Sequence, residues 1–142
     1  MEDKYKKLYD KWFWPVFIVF FIIFTFKFGY DEIKTKEVYQ EVKNKYSQIK
    51  QFPGVEQKSI REYPKIGMIF IEGTYESSSS PEVIAKYYEN SLVSEGWKLR
   101  STTQSKIQGI NYLESIFTQG DYKITYTHEE GTQIFTIELL WD

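Results

Sequence analysis

The sequence contains no cysteine and only one histidine, His128. The missing cysteines exclude disulfides, thiol nucleophiles, cysteine metal ligands and the acylated cysteine of a lipoprotein. A zinc-binding H-E-x-x-H helix is excluded as well, because that motif needs a second histidine. His128 is followed by Glu129-Glu130-Gly131, a sequence typical of a tight connection between strands. We therefore expect His128 to be a solvated turn residue.

Other common catalytic patterns are also missing. The glycines are scattered singly without phosphate-loop spacing, and the serines at 77–80 lack the G-x-S-x-G context of a nucleophile elbow. Glu72 and Glu76 could do acid–base work in principle, but their spacing indicates a solvated strand face. We therefore expect that the protein is not an enzyme, with no catalytic residues, no cofactor and no metal.

The net charge is small, at −2 for the whole chain. Residues 1–27 carry five lysines against three acidic residues, a balance of +2, so residues 28–142 carry about −4. A mildly acidic domain lacks the clustered lysines and arginines that bind a phosphate backbone. The charge therefore predicts no nucleic-acid partner.

One long apolar stretch, WFWPVFIVFFIIFTFKFGY from Trp12 to Tyr30, contrasts with the rest of the chain. Its central residues leave no polar face, and as a helix it would be about 28 Å long, close to the ~30 Å hydrocarbon core of a bilayer. It predicts a transmembrane helix over 12–30, after a cytoplasmic tail over 1–11. Bulky aromatics stand where a signal peptidase needs small residues, which favours an uncleaved signal anchor. The expected anchor residues are Trp12, Trp14, Phe21, Phe24, Phe28 and Tyr30.

The lysines before this stretch outnumber those just after it only slightly, yet they favour an inside N-terminus. The protein is predicted to be a single-pass membrane protein of the cell envelope, and its C-terminal domain is predicted to be extracytoplasmic. The predicted partners are the lipid bilayer and a membrane or envelope protein.

A second helix is predicted over residues 31–52. Apolar residues recur three and four apart at Tyr39, Val42, Tyr46 and Ile49, and Pro53-Gly54 ends the pattern. Two interpretations stay open for this juxtamembrane helix: a stalk, or a helix packed against the following domain.

Residues 55–142 predict one small α+β domain of two layers. Strands are expected over 66–76, 97–103, 110–119, 122–127 and 133–141, and residues 55–62 form an edge strand or an extended loop. A helix begins at Ser80-Pro81-Glu82 and ends at Gly96. The predicted order is β-α-β-β-β-β, an antiparallel sheet with one helix packed on one face.

Several residues of this domain form a longer pattern. They are Gly73-Thr74-Tyr75-Glu76, Ser80-Pro81-Glu82-Val83-Ile84, Tyr87-Tyr88, Leu92 and Gly96-Trp97. The pattern resembles one found in small bacterial envelope proteins, lipoproteins or single-span proteins mostly of unknown function, over about sixty to seventy residues. The resemblance implies a strand, a helix ending in Gly-Trp, a meander and an envelope setting. It implies no active site.

The aromatic content, 19% of all residues, is the remaining functional signal. Tyr112, Tyr122 and Tyr126 are candidates for a ligand-binding sheet face, although aromatics also serve small cores. We expect a non-catalytic, membrane-anchored interaction domain, an accessory subunit or assembly factor of a bacterial envelope complex. The alternative is a membrane-tethered domain that binds a glycan or peptide.

Overall fold

A computed structural model describes residues 2–65 and 67–141, and their side chains at 13–27, 33–65 and 67–141. In this described part, two helices and six strands follow one another. Their bounds are α1 Glu2–Ser47, β1 Glu56–Lys65, β2 Met68–Glu76, α2 Pro81–Ser94, β3 Lys98–Ile107, β4 Ile110–Gln119, β5 Tyr122–Glu129 and β6 Ile134–Trp141.

The strands form one antiparallel sheet in the order β1-β2-β6-β5-β4-β3. The last strand, β6, lies between β2 and β5, and α2 connects β2 to the far edge. The predicted order β-α-β-β-β-β is wrong by one strand, because residues 56–65 form β1 ahead of β2. Pro64 lies inside β1, where an edge position tolerates a residue without an N–H donor.

One face of the sheet carries the hydrophobic core. Buried and half-buried residues alternate along β2, β5 and β6, as expected for strands with one covered face. The core residues of the sheet are Ile69, Ile71, Tyr75, Phe117, Ile124, Tyr126, Phe135, Ile137 and Leu139.

Helix α2 covers part of this face, as its sequence predicts. Its buried stripe is Ile84, Tyr88 and Leu92. The helix ends where Gly96 takes a φ of 89° and Trp97 N–H donates to Leu92 O at 3.0 Å. A left-handed glycine satisfies the last carbonyls of a helix without steric cost, so the predicted helix end is confirmed.

The C-terminal part of α1 covers the rest of the face. Val42 and Tyr46 of this helix are buried in the core, together with Ile49 just after its end. This packing decides between the two interpretations left open for residues 31–52, because a free stalk would leave these side chains exposed. The separate juxtamembrane helix over 31–52 is replaced by the end of one continuous helix, which stops at Ser47. Two helices, not one, therefore pack on the sheet.

The predicted transmembrane helix over 12–30 is not supported. Across the described residues, no helix combines the length and the apolar character needed to cross a membrane. The described apolar run, 13–26, ends at Lys27 and rises only about 21 Å, well short of the ~30 Å hydrocarbon core. The predictions of a signal anchor, a single-pass localisation and an extracytoplasmic C-terminal domain are corrected with it. The predicted cytoplasmic tail, 1–11, has its side chains outside the described residues.

Candidate functional site

The most unusual surface of the molecule is the part of α1 over residues 13–27, which we call the apolar segment. All of its side chains are exposed, and the exposed fraction reaches 73% at Phe20 and 76% at Phe26. Its large apolar residues are Phe13, Trp14, Val16, Phe17, Ile18, Val19, Phe20, Phe21, Ile22, Ile23, Phe24 and Phe26. Monomeric proteins seldom expose a continuous apolar surface of this kind unless it meets a partner.

Aromatic rings give one side of the apolar segment a regular shape. The ring centroids of Phe13 and Phe17 lie 5.9 Å apart, and those of Phe17 and Phe21 lie 6.4 Å apart, both stacked. The four-residue spacing brings these side chains onto one line along the helix. The result is a ridge of aromatic rings held by the backbone of a single helix.

The residues predicted as membrane anchors lie in or next to this segment. Trp14, Phe21 and Phe24 belong to its exposed surface. The side chains of Trp12, Phe28 and Tyr30 lie outside the described residues. Exposure of the first three fits a contact role, but no helix in the described part is suited to crossing a membrane.

A buried tyrosine pair fixes the base of α1 on the sheet. The hydroxyl oxygens of Tyr46 on α1 and Tyr75 on β2 lie 3.0 Å apart, and Tyr46 also donates to Ile137 O at 3.3 Å. Gly73 leaves the space for these hydroxyls, because a Cβ there would lie 2.6 Å from the Tyr75 hydroxyl. Burial raises the pKa of both tyrosines, so the pair stays neutral.

A second contact joins α1 to the β1 edge. The Tyr39 hydroxyl donates to the Glu62 carboxylate, and Lys43 Nζ lies 3.1 Å from the same carboxylate. These bonds, that of Tyr39 first, hold the pKa of Glu62 below its usual value. The contact is partly exposed, so it orients the helix more than it stabilises the fold.

The structure does not bring the three predicted ligand-binding tyrosines onto one surface. Tyr126 is fully buried in the core. Tyr122 shares its sheet face but donates to Glu41 Oε1 on α1 at 2.5 Å, and burial raises its pKa to about 12. Tyr112 pairs with Glu129 in the register of β4 and β5, which places it on the opposite face. Only Tyr112 therefore lies where a ligand could reach its ring.

Tyr112 lines a cavity of about 210 Å³ between the first turn of α2 and the β3–β4 hairpin, which we call the hairpin cavity. Glu82 and Lys106 also line it, so its walls carry both charges. The pKa of Glu82 is lowered, first by a hydrogen bond to its own backbone N–H and then by Ser80. The positive end of α2 is thus already neutralised by an acid of its first turn. This arrangement disfavours an anion at that end.

His128 lies at the base of the hairpin cavity, not in a turn. It belongs to β5 and is fully buried, so the prediction of a solvated turn residue is wrong. Its Nδ1 lies 3.0 Å from the Tyr126 hydroxyl and its Nε2 lies 3.1 Å from Thr132 O. Tyr126 also donates to Pro81 O at 3.2 Å. The alternation of Tyr122, Ile124 and Tyr126 continues to position 128 and was the signal that the turn motif obscured.

His128 bonds to Tyr126, whose hydroxyl donates to Pro81 O at the start of α2, and to Thr132 O in the turn between β5 and β6, which is a structural role. Both imidazole nitrogens have partners within the protein. In the described part of the chain, no three residues among His, Cys, Asp and Glu group as metal ligands.

A comparison with protein-family models gives no match to this chain. No curated protein matches its sequence either.

Proposed function

We propose that this protein is a non-catalytic interaction domain that docks on a larger protein assembly through the apolar segment, residues 13–27. It would act as an accessory subunit or assembly factor of a bacterial envelope complex. The observation that carries the proposal is the full exposure of the apolar segment in a helix whose other described part is packed. Burying one large apolar side chain contributes about 1.5–3 kcal/mol, so a few of them could hold a complex together.

The polar groups of the apolar segment support docking on a dry surface. Thr25 Oγ1 lies 2.9 Å from both Phe21 O and Ile22 O, so its proton has an acceptor within the helix. Backbone groups in the interior of a helix are also satisfied internally. Burial of Thr25 would therefore leave no hydroxyl donor unpaired, and the usual cost of burying that polar group is avoided.

The packing of α1 supports a role in positioning. The helix that carries the apolar segment ends in the core, through Val42 and Tyr46. A partner that binds the apolar segment would consequently position the sheet domain through helix α1, without a flexible linker. The likeness to small envelope proteins adds the proposed setting.

The alternative function, binding of a glycan or peptide on an aromatic face, has less support. It needs several aromatic rings on one accessible surface, whereas Tyr126 is buried and Tyr122 is engaged with Glu41. Tyr112, on the opposite face of the sheet, is the remaining candidate.

The proposal can be tested by site-specific photo-crosslinking of the full-length chain in cells. A photoreactive phenylalanine analogue replaces Phe20 in the apolar segment, and in a matched control it replaces Val93 of α2, which is 50% exposed. We expect a defined protein adduct from position 20 and none from position 93. Mass spectrometry identifies the adduct, and crosslinking from the partner's surface back to the apolar segment confirms it.

Two outcomes would contradict the proposal. Equal protein adducts from positions 20 and 93 would indicate non-specific collision. Adducts of position 20 with lipid alone would show that the apolar segment has no protein partner.

A further inference from the structure

The sheet ends in two edge strands, β1 and β3, and they differ in their free backbone groups and in their charges. An edge strand presents unpaired N–H and C=O groups that can bind another strand. We propose that the outer edge of β3 binds an extended, acidic segment of a partner protein by β-strand addition. This surface is separate from the apolar segment, and the inference does not depend on it.

The β3–β4 turn shows which backbone groups of β3 point outward. Gln108 and Gly109 have φ of 51° and 89°, which is the signature of a two-residue turn between paired strands. In such a hairpin, the closing residues, Ile107 and Ile110, bond to each other through both backbone groups.

The next pair along the hairpin is Lys106 and Asn111. Asn111 O accepts from Glu130 N at 2.9 Å, on the side away from β3. Lys106 therefore turns its own N–H and C=O outward. Because this orientation alternates along a strand, Gln104 and Thr102 also point their backbone groups outward. These three residues form an open edge over the half of β3 that lies beyond its bulge at residues 99–101.

The charges of β3 favour an acidic partner. The strand carries Lys98, Arg100 and Lys106 and no acidic residue. Within the described residues, none of these three cations has a carboxylate at ion-pair distance. Lys106 lies in the open half of β3, and the positive charge of the whole strand attracts an acidic segment. This charge also disfavours a second copy of β3, since like charges would face one another.

The opposite edge, β1, has both properties to a smaller degree. Pro64 removes one backbone donor from it. Two of its three cations are paired within the molecule: Lys58 lies 2.5 Å from Glu76, and Arg61 lies 2.7 Å from Glu72. The β1 edge is thus protected against pairing, while the β3 edge is left open.

The experiment measures binding of a fluorescent, end-blocked peptide of about eight residues, alternating threonine and glutamate, to the full-length protein by anisotropy. Gln104→Pro removes one outward N–H, and we expect affinity to fall about tenfold because one backbone hydrogen bond is lost and the ring obstructs its neighbours. Gln104→Ala removes the same side chain but keeps the N–H, and should stay within about twofold. Thermal unfolding of both variants checks that they fold.

The charge is tested with a second matched pair. Lys106→Gln should weaken peptide binding about threefold to fivefold, whereas Lys65→Gln, on the opposite edge strand β1, should leave it within about twofold. Both variants remove one positive charge, so a general electrostatic attraction would affect them equally.

Peptide variants keep the test independent of protein folding. A peptide of the same charge with alternate backbone nitrogens methylated, and a peptide with lysine in place of glutamate, should each bind at least about tenfold more weakly to the unaltered protein. The inference is overturned if the acidic peptide does not bind, if the methylated peptide binds equally well, or if Gln104→Pro and Gln104→Ala behave alike.

Discussion

The two described parts of α1, residues 13–27 and 33–47, belong to one helix and have opposite surroundings. In the first, every side chain is exposed and nearly all are apolar. In the second, Val42 and Tyr46 are buried, while Lys43 between them is exposed. A helix with one apolar stripe can bury that stripe against its own sheet, whereas a helix that is apolar on all sides cannot bury all of its apolar surface in this way.

The difference separates the residues that stabilise the fold from the residues that are exposed and available for binding. The contacts of the second part are intramolecular and specific, with Tyr46, Tyr75 and Gly73 fitted together. The side chains of the first part are exposed, and we propose that another molecule covers them. Changes in the two parts should therefore have different consequences, in stability for one and in association for the other.

The largest effect is expected for Gly73→Ala. A Cβ at this position would lie 2.6 Å from the Tyr75 hydroxyl and also collide with the Tyr46 hydroxyl, so the packed end of α1 must shift. We expect the free energy of unfolding to fall by about 3 kcal/mol, at the upper end of overpacking effects, as measured by urea denaturation. Adding Tyr46→Phe should recover part of this loss, because it removes one colliding atom. Strict additivity of the two changes would contradict the proposed fit.

A smaller effect is expected for Tyr46→Phe alone. The change removes the hydroxyl that lies 3.0 Å from the Tyr75 hydroxyl and leaves that buried group without its partner. The free energy of unfolding should fall by about 1.5 kcal/mol. In contrast, Phe20→Ala in the apolar segment should change it by less than about 0.5 kcal/mol, because Phe20 is 73% exposed. Similar losses for both variants would show that the apolar segment is part of the fold.

Local patterns of the sequence predicted most of the elements of the domain. The 3.6-residue spacing of Ile84, Tyr88 and Leu92 predicted the buried stripe of α2. Alternation predicted the strands, and Gly120 marked a hairpin turn, where its φ is 58°. Each of these features depends only on residues that are close in the sequence, so it can be predicted from one short segment.

Pairing between distant segments could not be predicted in the same way. Alternation shows which residues of one strand share a face, but not how that strand aligns with its neighbours. Tyr112 and Tyr122 were grouped for this reason, although the register of β4 and β5 places them on opposite faces. His128 was assigned to a turn from its acidic neighbours, yet β5 continues to Glu129. For the apolar segment, composition alone favoured a membrane span that the described helix does not provide.

The smallest predicted effect is a pH dependence of the free energy of unfolding that arises from the packed part of α1. Hydrogen bonds from Tyr39 and then Lys43 lower the pKa of Glu62 in the folded state. A lowered folded-state pKa contributes stability above the unfolded-state value of about 4.3 and loses it as the pH falls through the folded-state value. The difference in free energy of unfolding between the unaltered protein and Glu62→Gln should therefore shrink from about pH 5 to about pH 3, by less than about 1 kcal/mol because the pair is partly exposed. The difference in free energy of unfolding for Phe20→Ala should stay constant over this range, since the replaced side chain does not titrate. If the difference for Glu62→Gln instead grows as the pH falls, the predicted direction is reversed and the contact is refuted.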